Sequence, residues 1–312
     1  MAMLILRHLE HIRRRFPAPV LTLGNFDGVH RGHQEILRRL VARAREINGT
    51  TVVLTFSPHP TAVLAPARAP RLLTDWRGRV ERIAAAGADV VVFERFTRRF
   101  SEITATDFVR RFLVEQLGVH TVVVGHRVSF GYQREGSAES LQRFGAQFGF
   151  HVDIVGPVEV EGVVVSSSAV RAAIRAGDLA SARASLDRTP SVAGRVVQGQ
   201  RRGKGLGFPT ANLHISNMVL PPDGVYAVRV DVGGRQYPGV ANLGFNPTFT
   251  EHAHRLEAHL FDFDGNLYGR RIEVGFVRRL RGETKFASVQ ALVEQIARDA
   301  AAARLALADS AQ

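Results

Sequence analysis

The most informative absence in this 312-residue sequence is cysteine, which does not occur at all. Without cysteine there is no disulfide framework, no thiolate metal site and no cysteine nucleophile. Long apolar runs are missing too, since none approaches the roughly 20 residues that cross a bilayer, and the short apolar start meets arginines at 13–15, unlike a signal peptide. The sequence therefore predicts a soluble, cytoplasmic protein without a membrane partner.

Lysine is also scarce, with Lys204 and Lys285 as its two occurrences, so the net charge of +12 comes from arginine. The arginine pairs at 38–39, 98–99 and 110–111 are spread along the chain without interleaved aromatic residues. Such scattering is typical of solvated helix faces rather than of a nucleic-acid surface. At 45% hydrophobic and 22% charged, the chain can bury cores and is long enough for two domains.

In the first half, short β-branched runs alternate with segments of helical period. Helical patterns at 36–47 and 108–117 place apolar residues on one face. This alternation predicts a parallel sheet, whose site lies at the carboxyl ends of its strands, where Gly24 and Gly125 fall. The predicted strands are residues 20–23, 51–56, 90–93, 121–124 and 152–155.

After two predicted short helices at 169–176 and 179–186, the hydrophobic pattern of the sequence changes. Segments such as 225–232 alternate apolar and polar residues between glycine-rich connections, which indicates an antiparallel sheet or barrel. The chain is predicted to end in a helix whose apolar face carries residues 289, 292, 293, 296 and 300, with an alanine-rich tail that frays. We expect one domain at 1–186 and a second at 187–312.

Residues 24–33 (GNFDGVHRGH) run from a predicted strand through a loop into a helix. A helix N-terminus offers unpaired N–H groups and the positive end of a dipole to phosphate. His30 and His33 are three positions apart and can face the same side, where two imidazoles could donate hydrogen bonds to phosphate oxygens. The remaining candidate nucleotide-binding residues of this motif are Gly24, Asn25, Asp27 and Gly32.

A second phosphate motif lies at residues 198–212 (QGQRRGKGLGFPTAN). Its glycines, Gly203 and Gly207 among them, allow the backbone to wrap a polyphosphate, and Lys204 is either a phosphate contact or a solvated loop charge. Two separate phosphate sites suggest two reactions that use the same nucleotide.

Taken together, these segments resemble those of the bacterial bifunctional riboflavin kinase/FMN adenylyltransferases (FAD synthetases), and the resemblance spans essentially the whole chain. Residues 56–60 (FSPHP) are similar to a further segment of that family. The resemblance implies an α/β nucleotidyltransferase domain with a Rossmann-like parallel sheet, followed by a small antiparallel β-barrel with a C-terminal helix. It also implies that the second domain phosphorylates riboflavin to FMN and the first adenylylates FMN to FAD, with ATP and Mg²⁺ as cofactors.

The resemblance also assigns roles to individual residues. Glu257, in residues 256–260 (LEAHL), corresponds to the catalytic carboxylate of the kinase, and Thr210 and Asn212 to its Mg²⁺ ligands. Ser168 and Arg171 join Asn25, His30 and His33 among the residues expected to bind nucleotide phosphates. The residues expected to border flavin are Phe130, Arg281 and Phe286.

Two positions depart from the family pattern. Residues 125–131 (GHRVSFG) carry Arg127 where the family has an acidic or amide residue, and Ala169 replaces an arginine. The second hypothesis is therefore a riboflavin kinase with a degenerate adenylyltransferase half, and the third a non-catalytic, basic flavin- or RNA-binding protein. Under the leading hypothesis the partners are ATP, riboflavin, FMN and client flavoenzymes, with no nucleic acid.

Overall fold

The computed structural model describes residues 3–199, 207–245 and 254–309. The chain divides into two compact units. The first comprises Met1–Pro70 and Trp76–Ser166, and the second Arg71–Asp75 and Ser167–Gln312. The expected boundary between residues 186 and 187 stays a prediction.

The first unit is built on a six-stranded sheet whose paired strands are all parallel. Its spatial order is β1-β4-β3-β2-β5-β6, so the strand order reverses beside β2 and β5. In a sheet of this kind, the crevice at the point of reversal is the usual ligand site. The strands are β1 (Leu4–Arg7), β2 (Val20–Leu23), β3 (Thr51–Ser57), β4 (Val90–Arg95), β5 (Thr121–Gly125) and β6 (His151–Val155).

All five strands predicted for this half are confirmed, to within two residues at their ends. The edge strand β1 was not predicted, because it is only four residues long and half exposed, so its apolar pattern is weak. A small hairpin, β7 (Glu159–Val160) with β8 (Val163–Val164), follows β6.

Helices cover both faces of the sheet, which explains why strands such as β2 are buried along their whole length. Leu21 and Leu23 face one core together with Phe108 and Phe112, while Val20 faces the other. The predicted helix at 108–117 continues from an α-helix into a π-helix at Val109–Gln116. The α-helices of this unit are α1 (Arg31–Glu46), α2 (Pro60–Leu64), α3 (Trp76–Ala85), α4 (Arg98–Ser101), α5 (Ala105–Phe108) and α6 (Ala138–Phe148).

The second unit contains a closed antiparallel barrel in the order β10-β13-β12-β11-β14-β9, which confirms the prediction from alternation. Residues such as Tyr226, Val228 and Phe276 fill its interior, while alternate residues point outward. Its strands are β9 (Ser191–Val197), β10 (Ala211–His214), β11 (Gly224–Val232), β12 (Arg235–Phe245), β13 (His254–Leu260) and β14 (Arg271–Arg281).

Two short helices precede the barrel, α7 (Ser167–Ala176) and α8 (Leu179–Leu186), and α9 (Val289–Asp309) ends the described chain. The predicted apolar face of α9 is partly wrong, because Val289 is 65% exposed and the helix instead buries Ala303, Ala306 and Leu307. These three pack on Val225, Ala227 and Phe261 of the barrel. The prediction that the tail at 300–312 frays is wrong for residues 300–309, because this packing keeps the chain helical to Asp309, and residues 310–312 lie outside the described residues. Within the described ranges, no helix is long and apolar enough to span a membrane.

Two candidate active sites

The first candidate site is a cavity of about 710 Å³ at the carboxyl ends of β2 and β5 in the first unit. It lies at the point of strand reversal, where the sheet topology places a ligand. The structure brings together most of the residues predicted for this site: the lining includes Gly24, Asn25, His30, Gly32, His33 and Phe130. Asp27 does not line the cavity and is buried, with 1% of its surface exposed.

The loop between β2 and α1 has an unusual backbone. Phe26, Gly28 and Val29 have φ values of 46°, 84° and 41°, in the left-handed region. A β-branched residue such as Val29 adopts this region only under strain, at about 1–3 kcal/mol. Both Phe26 and Val29 are buried in the core, which holds the loop in this conformation.

His30 and His33 stack at the start of α1, with ring centroids 3.8 Å apart. His30 is the N-cap residue, and its Nδ1 accepts a long hydrogen bond of 3.4 Å from the backbone N–H of His33. The proton of a neutral His30 ring therefore lies on Nε2. Gly32 permits this arrangement, because a Cβ there would lie 3.2 Å from two His30 ring atoms.

The electrostatic environment keeps His33 neutral. Burial, then the neighbouring His30 and then Arg79 hold the pKa of His33 well below its usual value of 6.5. Its Nδ1 has no hydrogen-bond partner among the residues that the structure describes. A neutral imidazole with an unsatisfied ring nitrogen beside a helix N-terminus suits recognition of a phosphate oxygen.

Asn25 is positioned by a histidine from the adjacent strand-to-helix loop. The amide of Asn25 lies 3.3 Å from His59 Nε2, while His59 Nδ1 accepts the N–H of Thr61 and caps α2. The atom that faces His59 is Asn25 Nδ2. Because Nδ1 accepts, a neutral His59 carries its proton on Nε2, so a hydrogen bond between the two requires the opposite assignment of the Asn25 amide, with its oxygen as the acceptor. Thr55 Oγ1 donates to the Asn25 carbonyl at 3.1 Å.

The charged residues that line this first cavity, among mostly apolar neighbours, are basic. His59, His126, Arg127 and Arg134 join the two stacked histidines, and no aspartate or glutamate occurs among the described lining residues. A cavity of this composition favours an anionic ligand. Ser168 and Arg171, also predicted to bind nucleotide, lie on α7 in the second unit, where the buried Arg171 donates from Nε to the carbonyl of Arg71 at 2.8 Å.

The second candidate site is a cavity of about 410 Å³ against the outer wall of the barrel, and Leu292 and Ile296 of α9 also line it. β13 aligns Glu257 with Asn212 of β10 on one side and with Asn242 of β12 on the other. These side chains share the outer face of three paired strands. The structure thus brings together the five predicted residues Thr210, Asn212, Glu257, Arg281 and Phe286.

An arginine links two of the predicted residues. Arg255 Nε donates to Asn212 Oδ1 at 2.8 Å and lies 2.9 Å from Glu257 Oε1. Gly199 leaves room for the Asn212 side chain, because a Cβ there would lie 2.6 Å from Asn212 Cγ. Mg²⁺ prefers hard oxygen ligands. The side-chain oxygens of Thr210, Asn212 and Glu257 in this cavity therefore fit that ion.

Arg281 is held firmly at the edge of the same cavity. It forms three hydrogen bonds to the carboxylate of Asp299, the shortest 2.7 Å, and its guanidinium lies 5.7 Å from the centre of the Phe286 ring. Gly207 has a φ of 84°, which favours glycine. The predicted residues Gly203 and Lys204 lie outside the described residues.

Comparison with known proteins matches each half of the chain to a different protein family. The family model for FAD synthetase matches residues 13–169, and the model for riboflavin kinase matches residues 186–307. The bifunctional riboflavin kinase/FMN adenylyltransferase of Pseudomonas fluorescens is 42% identical over 99% of each chain. The chain belongs to this bifunctional family.

Two further similar proteins also match over nearly the whole chain. The Escherichia coli K12 protein of the same description is 42% identical over 91% of each chain. A crystal structure described as a macrolide-efflux protein from Streptococcus pneumoniae is 32% identical, with a TM-score of 0.84 and coverage of 96% of this chain and 97% of that one. The two-part fold expected from the sequence is thereby confirmed.

Several residues of both halves escaped the reasoning from sequence. In the FAD synthetase half, Arg79 is buried and donates from Nη1 to Thr55 Oγ1 at 3.2 Å and to the Phe56 carbonyl at 3.1 Å. In the riboflavin kinase half, Arg255 is the residue that was missed. Both are arginines in an arginine-rich chain, so their type and spacing carry no signal. The resemblance of residues 56–60 to the family pointed to His59, but the sequence did not show that His59 contacts Asn25.

Proposed function

We propose that the two cavities catalyse consecutive reactions, with FMN formed at the barrel in residues 187–312 and converted to FAD at the parallel sheet in residues 1–186. The observation that carries this proposal is the match of each half to a different family model, together with a separate cavity in each unit. Because both models match, the kinase-only and non-catalytic alternatives are not favoured.

At the barrel site, Glu257 accepts the proton of the 5′-hydroxyl of riboflavin, whose oxygen attacks the γ-phosphorus of ATP and releases ADP. Thr210 and Asn212 would hold Mg²⁺, which supplies neutralisation of phosphate charge when bound. The cross-strand register of Asn212 and Glu257 supports this pairing of ligand and base. Arg281 and Phe286 border the flavin.

In the parallel-sheet cavity, a phosphate oxygen of FMN attacks the α-phosphorus of ATP, and pyrophosphate leaves. His30, His33 and Asn25 contact phosphate oxygens at the N-terminus of α1, where the helix dipole adds to their effect. The low pKa of His33 favours an uncharged hydrogen-bond donor. No nucleophile of the protein takes part, because positioning and charge stabilisation suffice for this displacement.

Ser168 and Arg171 are proposed as further nucleotide ligands, as are Gly203, Lys204 and Gly207. Phe130, which lines the first cavity, is proposed to contact FMN there. We further infer that the reactions take place in the cytoplasm, where ATP is abundant, and that FAD passes to client flavoenzymes. Retention of the enzyme in a washed membrane pellet would contradict that location.

The experiment that tests the activity is a chromatographic assay of purified protein with ATP and Mg²⁺, with riboflavin in one tube and FMN in another. FAD in both tubes is the expected result. FMN from riboflavin without FAD in either tube would leave a riboflavin kinase with an inactive first half, and no product in either tube would favour a binding protein.

A further inference from the structure

β13 presents three polar side chains to the second cavity at alternate positions, Arg255, Glu257 and His259. The proposed function assigns a role only to the middle one. Both outer residues contact the segment that carries the proposed Mg²⁺ ligands. His259 Nδ1 lies 2.8 Å from the Pro209 carbonyl, and Arg255 donates to Asn212.

Arg255 makes the more specific contact. One nitrogen, Nε, lies 2.8 Å from Asn212 Oδ1 and 2.9 Å from Glu257 Oε1. The positive charge of the guanidinium thus faces the oxygen of a proposed metal ligand and the oxygen of the proposed base together. Both charged side chains are only partly exposed, at 27% for Arg255 and 31% for Glu257, so solvent screens the pair incompletely.

We propose that Arg255 is a positioning residue that holds Asn212 and Glu257 converged in the ligand-free enzyme and competes with Mg²⁺ for their oxygens. This inference rests on the proposed roles of Asn212 and Glu257. A guanidinium and a divalent cation repel each other, so they do not share these oxygens at close range. Entry of nucleotide with Mg²⁺ therefore displaces Arg255, whose fork of N–H donors then has phosphate oxygens as alternative partners.

The competition predicts that the apparent affinity for Mg²⁺ rises while kcat falls. When Arg255 is replaced by methionine, the Mg²⁺ concentration for half-maximal ADP binding falls by about fivefold, the size expected from the loss of one partly exposed ion pair. At the same time kcat for FMN formation falls, because Asn212 and Glu257 lose their common anchor. A lysine at 255 keeps the charge, so the Mg²⁺ requirement stays near that of the wild type.

The measurement is calorimetric titration of Mg²⁺ into the full-length protein with ADP, for the wild type, Arg255→Met and Arg255→Lys. The first unit is identical in all three and contributes the same background. Arg278→Met is the matched control, since Arg278 is an exposed arginine of β14 outside the cavity, 4.0 Å from Asp309. Circular dichroism and denaturant unfolding of each variant report that the barrel is folded, because adenylylation of FMN tests only the first unit.

An unchanged or increased Mg²⁺ requirement in folded Arg255→Met would overturn the competition. Unchanged kcat in that variant would overturn the positioning role. A failure of the proposed function gives a different result: full FMN formation by Glu257→Gln would show that Glu257 is not the base. Loss of FMN formation by Glu257→Gln with no effect of Arg255→Met would overturn only the inference about Arg255.

Discussion

At the scale of single residues, His33 shows how position determines chemistry. In the unfolded chain a histidine takes up a proton as the pH falls through about 6.5. In the folded protein, burial and the nearby His30 and Arg79 keep the pKa of His33 well below that value. Because only the unfolded state gains this proton, His33 makes the folded state progressively less stable as the pH falls below about 6.5.

We therefore predict that His33 remains neutral at pH 6, where an ordinary histidine is mostly charged. The measurement is an NMR titration of the His33 ring, assigned by comparison with His33→Gln. A midpoint well below 6.5 is expected. A midpoint at or above 6.5 would show that the ring works as a cation, and that its role at the phosphate is mainly one of charge.

Arg127 is the second residue whose role belongs to this scale. It lines the basic first cavity, and it has no hydrogen bond or ion pair within the described part of the chain. A charged hydrogen bond to a substrate contributes about 1.5–3 kcal/mol. We expect Arg127→Gln to lower kcat/KM for adenylylation of FMN by about tenfold or more and to leave riboflavin phosphorylation unchanged.

Steady-state kinetics of both reactions check this prediction. Arg98→Gln is the control, because Arg98 is exposed in the same unit and does not line the cavity. Equal activity of Arg127→Gln and the wild type would mean that the departure from the family pattern is neutral.

At the scale of elements, two arginine–aspartate pairs attach α9 to the barrel. Asp299 pairs with Arg281 at 2.7 Å and is 8% exposed, whereas Arg304 pairs with Asp262 at 3.0 Å where the aspartate is 76% exposed. Removal of one partner from a buried pair costs far more than from an exposed pair. We expect Asp299→Asn to destabilise the second unit by about 2–4 kcal/mol, and Asp262→Asn by much less, because solvent screens the exposed pair.

Denaturant unfolding, followed by circular dichroism, compares the two variants with the wild type. The same amide replaces the same carboxylate in both, so the difference in free energy of unfolding reports the burial of Asp299 together with its hydrogen bonds to Arg281 and Gln295. Equal losses of stability would contradict the claim that the Asp299–Arg281 pair attaches α9 to the barrel more strongly than the Asp262–Arg304 pair.

Elements differ in how far the sequence predicts them. β2 and the other central strands were predicted because both of their faces are buried, which gives continuous apolar runs. The α9 face was misjudged, because Leu292 and Ile296 line a cavity rather than the core, and two alanines with Leu307 make the contact with the barrel. Motif residues such as His33 were predictable, whereas the partner of Asn212 depends on strand register, which local patterns do not specify.

At the scale of the whole molecule, the central claim is that one chain holds two independent catalytic sites. Each cavity is lined by residues of a single unit. The described residues contain no cluster of three or more histidine, aspartate or glutamate side chains suited to bind a metal by themselves.

The most direct test of the claim is a crossed assay of Glu257→Gln and His33→Ala, each supplied with riboflavin or with FMN under ATP and Mg²⁺. The account predicts that Glu257→Gln forms no FMN yet converts supplied FMN to FAD, and that His33→Ala converts riboflavin to FMN and stops there. If either substitution abolished both reactions in a folded protein, the two sites would not be separate and the account would be wrong.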